Sequence, residues 1–267
     1  MYNNIFYEFG NAFEYEPEYL AVLSYATSQG YTLPKRDQNN KNNRKIKRLK
    51  EEGIFAELDL LYNFKQAAGL ANFSTINWIN PGTYNVTQSN SALVPFFEAD
   101  KGYKGHGSSG SFFSTNYIPS TNATNAILDD VGVFFKTYDE ISGSVAGTRN
   151  SSFNNFSIGK STVSNSTTIL HCTTGGGAVT RTVADAASHI VHAKNNDTHS
   201  YYLNGVFTAS AIYSSTSSFL SSYELTVFAN NLAGVPSQLF TGGIEYFALG
   251  SSYVGGKAAQ LTSIFSY

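Results

Sequence analysis

SYYLNGVFTAS, Ser200 to Ser210, decides the fold. Its centre is Asn204-Gly205, the dipeptide favoured in a two-residue type I′ turn because both central residues there take positive φ. Aromatic and β-branched residues flank it on both sides, so a tight antiparallel hairpin is expected. Upstream, IVHAK (Ile190 to Lys194) leads into Ser200 to Leu203 through the turn cluster Asn195-Asn196-Asp197, which extends the hairpin to a three-stranded meander.

The same signals recur across the chain. Thr75 to Ile79 (TINWI), Val131 to Thr137 (VGVFFKT), Glu224 to Phe228 (ELTVF) and Ile244 to Leu249 (IEYFAL) are short and rich in residues that favour strands, and Asn80-Pro81-Gly82 supplies another turn. No helical pattern alternates with them. They therefore predict a mainly β protein with an antiparallel sandwich rather than a parallel sheet with crossover helices. Charge agrees: residues 71–267 hold 8 of the 17 Lys and Arg and 10 of the 19 Asp and Glu, set among Ser, Thr, Asn, Gly, Phe and Tyr. Hydroxyls and amides suit a solvated β surface.

The first seventy residues read differently. Glu16-Pro17-Glu18 opens a helix over about 17–29, with Tyr19, Leu20, Val22, Leu23, Tyr25 and Ala26 as its apolar stripe. Asp37 can cap a second helix running through Ile46 and Leu49 to Gly53, and Ile54, Leu58 and Leu61 suggest a further helical turn or two in IFAELDLLYNF. The apolar faces are too narrow for an independent domain, so these helices should lie on the β body or dock on another protein. After Gly255-Gly256, KAAQLTSIF forms a short amphipathic helix whose Ala259, Leu261 and Ile264 can cap an open edge. The expected division is an aromatic N-terminal arm (1–16), a helical attachment region (17–70) and a β-sandwich domain (71–267).

With 267 residues, 42% of them hydrophobic, the chain can bury a large core. Cys172 is its only cysteine, which excludes an internal disulfide and any multi-cysteine metal site. A formal charge of -2 gives no global attraction to nucleic acid or anionic lipid. The N-terminal MYNNIFYEFG lacks the pattern of a secretory signal, and no apolar run reaches membrane-spanning length. Synthesis in the cytoplasm without a membrane anchor is the expectation.

Few residues carry a pattern that chemistry would need. Hydrolases on sandwiches commonly carry carboxylates at a spacing such as E-x-D-x-x-E, because glycoside cleavage needs an acid and a base or nucleophile in one cleft. No such spacing occurs after residue 70. Asp129-Asp130 would point to opposite faces, and Asp139-Glu140 reads as a turn. His189 and His192 are three apart on a strand and also face opposite ways, so with His199 they do not form a metal site. Cys172, beside His171, Ile169 and Leu170, reads as a buried thiol. Gly175-Gly176-Gly177 lacks the G-K-[ST] ending of a phosphate loop. Asp100, Asp129, Asp130 and Asp197 are rim carboxylates without calcium-loop spacing. Lys41, Arg44, Lys45 and Arg48 share one helix face, yet Glu51 and Glu52 follow and no aromatic is interleaved, so the run reads as a solvated face or a contact for an acidic subunit rather than for nucleic acid.

ELDLLYNF (57–64), FSTINWINPGTYNVT (73–87), KGYKGHGSSGSFFSTNYIPST (101–121), YLNGVF (202–207) and GGIEYFALGSS (242–252), in this order, resemble a group of bacteriophage structural proteins. These carry a concanavalin A-like, laminin-G-type jelly roll. The resemblance covers most of the chain from about Tyr19 and implies a jelly-roll sandwich, with Ser111 to Thr115 an early strand and Phe112 or Phe113 in the core. It implies a virion protein of tail, fibre or head-decoration type, made in the host cytoplasm and present in many copies or as a homo-oligomer.

Six aromatics crowd the first fifteen residues: Tyr2, Phe6, Tyr7, Phe9, Phe13 and Tyr15. They are the expected partner-binding residues, attaching the chain to a capsid, collar or tail protein. The outer surface of the sandwich, rich in Tyr, Asn, Ser and Thr, suits contact with host glycans. The expectation is thus a non-enzymatic structural and adhesive protein with no cofactor or metal; the alternative is a depolymerase acting on host capsule or other surface polysaccharide.

Overall fold

Asn204 and Gly205 both take positive φ, 49° and 81°, and close β12 (Thr198–Leu203) onto β13 (Val206–Ile212). The hairpin anticipated from Asn-Gly is present. The computed structural model describes residues 14–89, 94–106, 111–139, 142–150, 154–161, 166–173, 179–182, 188–212 and 220–266.

Two mainly antiparallel sheets stack face to face among the described residues. The first runs β13-β12-β11-β6-β17-β4-β3, where β11 is His189–Asn195, β6 Asp130–Tyr138, β17 Gly243–Gly250, β4 Gly102–Lys104 and β3 Phe96–Glu98. β1 (Leu58–Asn63) also joins this sheet, pairing with the second half of β17. The second sheet runs β10-β9-β8-β7-β14-β5-β2: β10 is Val179–Thr182, β9 Ser166–Thr173, β8 Asn154–Ser161, β7 Ser142–Asn150, β14 Thr226–Val227, β5 Phe113–Ser114 and β2 Thr87–Gln88. The hairpin of β15 (Asn230–Leu232) and β16 (Val235–Ser237) attaches to β7, with β15 parallel to it. Mainly β architecture, an antiparallel jelly-roll sandwich and a short N-terminal helical region are what the sequence predicted.

Alternation along the strands divides the apolar residues between two cores. Val131, Val133 and Phe135 of β6 point inward to meet Phe113, Val145, Phe156, Ile158 and Val227 of the opposite sheet. Phe113 is the core ring of its pair, while Phe112 is half-buried. Phe134 points the other way. It joins Tyr246 and Ala248 of β17 in a second core on the outer face of the first sheet, covered by helices.

These helices are α1 (Pro17–Ser28), α2 (Arg36–Glu51), α5 (Tyr253–Gly256) and α6 (Ala258–Phe265); the one-turn helices α3 (Ala71–Ser74) and α4 (Pro119–Asn122) lie in connections. α1 buries Tyr19, Val22, Leu23 and Ala26, and α6 buries Ala258, Leu261, Ile264 and Phe265. Gly132 permits the close approach of α5: a Cβ there would stand 2.3 Å from the carbonyl oxygen of Ser251. α2 has only two buried apolar residues, Ile46 and Leu49, and packs instead through amides. Asn39 accepts from the Tyr19 hydroxyl at 2.6 Å, Asn43 accepts from the Glu16 backbone N–H at 2.8 Å, and Asn42 donates to Gln66 at 3.1 Å. The buried amides of Asn39, Asn42 and Asn43 are thus each offset by a partner.

Several expectations are corrected. IFAELDLLYNF is not helical beyond a 3₁₀ turn at Phe55–Glu57; it becomes β1, because Leu60 and Tyr62 fill the inner core while Leu58 and Leu61 fill the outer one. The boundary at residue 70 therefore cuts through the sandwich. TINWI is a turn, since asparagine side chains replace a strand ladder: Asn77 accepts from the N–H of Leu61 and of Ile79, and Asn85 accepts from that of Asn77. Strand ELTVF shrinks to Thr226–Val227, with Phe228 at φ 70°. The C-terminal helix covers a face, not an edge, and Ala259 is exposed. No helix among the described residues is long and apolar enough to cross a membrane.

Candidate functional site

The outer face of the second sheet carries a groove of about 680 Å³, assembled from four stretches of chain: Thr87 to Ser89, Phe112 to Ile118, Ser222 to Thr226 and Asn231 to Pro236. Its floor follows from register. Thr87 stands opposite Ser114, and Ser114 opposite Thr226. Residues opposite each other in antiparallel strands share a face. The neighbouring row, Phe113 and Val227, is fully buried in the inner core, so the hydroxyl row faces outward. Thr226 is anchored by its hydroxyl, whose single proton lies between the carbonyl oxygens of Gly147 and Ala229, each 3.1 Å from Oγ1.

The walls are half-buried rings and one carboxylate: Phe112, Tyr223 and Glu224. Thr148 Oγ1 donates to the Tyr223 carbonyl oxygen at 2.7 Å, and the Tyr223 N–H donates to Ser221 Oγ at 3.2 Å. Asn231 fixes the other side: its Nδ2 donates to the Glu224 carbonyl oxygen at 2.9 Å, and its Oδ1 accepts from the N–H of Gly234 at 2.9 Å. Ala233 and Gly234, at φ 50° and 90°, make the tight turn this requires. Burial pushes the Tyr62 phenol well above its ordinary pKa, and the negative charge of Glu224 adds to the shift.

Hydroxyls, amides and half-buried rings in one concavity can hydrogen-bond and stack at the same time. The volume lies within the range of roughly 300–1,000 Å³ common to small-molecule sites. None of these lining residues carries a binding signal in the sequence; Phe112 enters there only as a core candidate and Glu224 only as a strand residue. Spacing of two residues places Glu224 with Thr226, and Phe112 with Ser114, on a common strand face, but nothing in the sequence brings the two pairs together.

Of the expected arm, Tyr2, Phe6, Tyr7, Phe9 and Phe13 lie outside the described residues. Tyr15 packs edge-on against Tyr19, with ring centroids 5.7 Å apart. Gly175 to Gly177 and the side chains of His171 and Cys172 also lie outside what is described.

The histidines divide as strand geometry requires. His192 and His199 are buried on the inner side, with ring centroids 5.3 Å apart. His189 lies on the outer side, where its Nδ1 shares a hydrogen bond with the Tyr246 hydroxyl. Burial, reinforced by Lys136, lowers the pKa of His189 to about 4. Burial and then Lys194 lower that of His199 to about 4 as well. Among the described residues no three His, Cys, Asp or Glu side chains converge as metal ligands. Asp129 instead pairs with Lys194 at 2.6 Å, Asp139 with Lys104 at 2.7 Å, and Asp130 accepts from the Ser252 N–H at 2.6 Å.

The basic helix face is not a solvated whole. Lys41 and Arg44 are exposed, but Lys45 is buried over the ring of Phe265 and Arg48 donates to Ser263 Oγ at 3.0 Å.

No protein-family model matches the chain, and no curated protein matches it in sequence. Solved structures do. The binding domain of botulinum neurotoxin DC, determined with rat synaptotagmin II, superposes with a TM-score of 0.56 at 14% identity, over 80% of this chain and 53% of that one. Botulinum neurotoxin type C, described as depending on two ganglioside molecules to get into cells, gives 0.55 at 13% identity with the same coverage. A Trypanosoma rangeli sialidase mutant displaying trans-sialidase activity gives 0.51 at 10% identity, over 82% of this chain and 38% of that one. The chain thus spans about half the length of the toxin domains and less of the sialidase. At these identities the likeness shows the fold. It also overturns the expectation that the chain is not an enzyme: the same sandwich occurs in a sialidase, so the architecture and the missing E-x-D-x-x-E spacing give no ground for excluding catalysis.

Proposed function

We propose that the chain binds carbohydrate through the groove on its second sheet. The row of Thr87, Ser114 and Thr226, flanked by Phe112 and Tyr223, carries this reading. A sugar presents hydroxyls around its rim and C–H bonds on its faces. Hydroxyl and amide side chains satisfy the first, and aromatic rings pack against the second. The ganglioside dependence of the toxin with the same fold supports the class of ligand. Many copies on one support would raise avidity beyond that of a single groove.

A glycan array probed with the full-length chain tests the reading. Tyr223→Ala and Phe112→Ala are each expected to weaken binding about tenfold, the loss of roughly 1.4 kcal/mol of contact. Tyr253→Ala, at an exposed ring among the helices of the other face, is expected to leave binding unchanged. Signal no higher than that of heat-unfolded protein overturns the assignment. Chromatography of bound oligosaccharides after prolonged incubation distinguishes holding from cutting.

The resemblance to phage structural proteins supports a particle-bound setting, with residues 1–16 as the attachment. Deletion of these residues is expected to abolish incorporation into particles while the sandwich stays folded. Normal incorporation overturns that placement.

A further inference from the structure

The charges around the groove narrow its ligand class beyond the proposed function, on which this inference rests. Among the described lining residues Glu224 is the one carboxylate and none is lysine or arginine; Arg149 of β7, paired with Leu232, stands beside the groove but is not among them. The chain has 17 Lys and Arg; nine of them precede residue 70, outside the segments that build the groove. The stretches adjoining the lining residues in sequence, 90–93, 107–110 and 213–219, contain neither lysine nor arginine. Recognition of an acidic sugar needs a cation, since a carboxylate brought out of water is costly unless it is paired. Here it would meet a fixed negative charge.

From this we infer that the groove selects neutral glycans and rejects those ending in sialic acid, although proteins of the same fold include a sialidase and a ganglioside-dependent toxin. Selection against a ligand by an unpaired like charge is as effective as selection for one by contact. Glu224 serves both ends: its oxygens accept hydrogen bonds from vicinal sugar hydroxyls, and its charge repels a sialic acid carboxylate. The hydroxyls of Thr87 and Ser114 offer neutral hydrogen bonds in either case and do not discriminate.

Binding of the full-length chain to matched glycans tests the inference. Each neutral oligosaccharide core is presented with and without a terminal sialic acid, at low and at physiological salt. The neutral member of each pair is expected to bind roughly five- to tenfold more tightly, as for one like-charge contact near a protein surface, and the ratio to shrink as salt rises. Glu224→Gln is expected to bring the two members together, and Glu224→Lys to favour the sialylated one. Equal or tighter binding of the sialylated member by the unsubstituted chain overturns the selectivity and leaves carbohydrate binding standing, as does a ratio unmoved by Glu224→Gln. Absence of binding to every member overturns both.

Discussion

The ammonium group of Lys45 lies 5.2 Å from the ring centre of Phe265, joining a helix of the first fifty residues to the last helix described. The side chain is almost fully buried, and desolvation, reinforced by Lys65, lowers its pKa to about 7. Glu245, already paired with Lys65 and Lys136, offsets only part of this. An unfolded chain holds the Lys45 proton up to about pH 10.4. Between pH 7 and 9.5 it therefore binds more protons than the folded chain, and stability should rise with pH through that window. Lys45→Met keeps the packing, loses the ring contact and removes the charge. It is expected to stabilise the protein at pH 6.5 by about 1 kcal/mol and to flatten the alkaline rise. Thermal melts followed by circular dichroism measure both; a destabilised variant would mean that the ring contact outweighs desolvation.

His189 and His199 predict the opposite limb. Each is held neutral when folded, with a pKa of about 4, and each titrates near 6.5 when unfolded. The stability they contribute is fully present above pH 6.5 and is lost as pH falls toward 4, where the unfolded chain takes up the protons. Urea midpoints measured from pH 7 to pH 4 should decline steadily. A midpoint independent of pH across that interval would show that the imidazoles are solvated.

Asp59 ties β1 to the loop before β6. Its carboxylate accepts from the Tyr117 hydroxyl at 2.9 Å and from the backbone N–H groups of Asn125 and Ala126, both at 2.9 Å. Asp59→Ala strands these donors and should cost about 3 kcal/mol. The expected signature is a lower urea midpoint with an unchanged slope.

Trp78 is the only tryptophan, fully buried between α1 and the first sheet, with the Tyr19 ring centroid at 6.1 Å. Its fluorescence reports the docking of the helical layer, whereas far-ultraviolet circular dichroism reports the strands as well. The two transitions should coincide, because α1, β1 and β17 share one core. An earlier fluorescence transition would show that the helices undock as a separate unit.

How far the fold was legible depended on the range of the interaction that fixes each element. Asn204-Gly205 declares its turn locally, because few other dipeptides accept two positive φ values in succession. Pro17 and the stripe from Tyr19 to Ala26 place α1 correctly for the same reason. TINWI misleads because its fate rests on Asn85, eight residues from Asn77, whose amide takes the hydrogen bond a neighbouring strand would have supplied. β1 misleads because Leu58 and Leu61 fit a helical stripe, yet a core on each side of the sheet rewards an extended chain. The groove was invisible for a different reason. Thr87, Ser114 and Thr226 are distant in sequence and become neighbours only through strand pairing, and Tyr223 is oriented by Thr148.

The helices formed by residues 17–28 and 258–265 both rest on the first sheet, while the groove opens on the far side of the second. A tether, affinity tag or fluorophore joined near either of these helices would therefore sit behind the molecule. Immobilisation on a sensor chip through such a handle would leave the recognition surface turned toward the flowing solution.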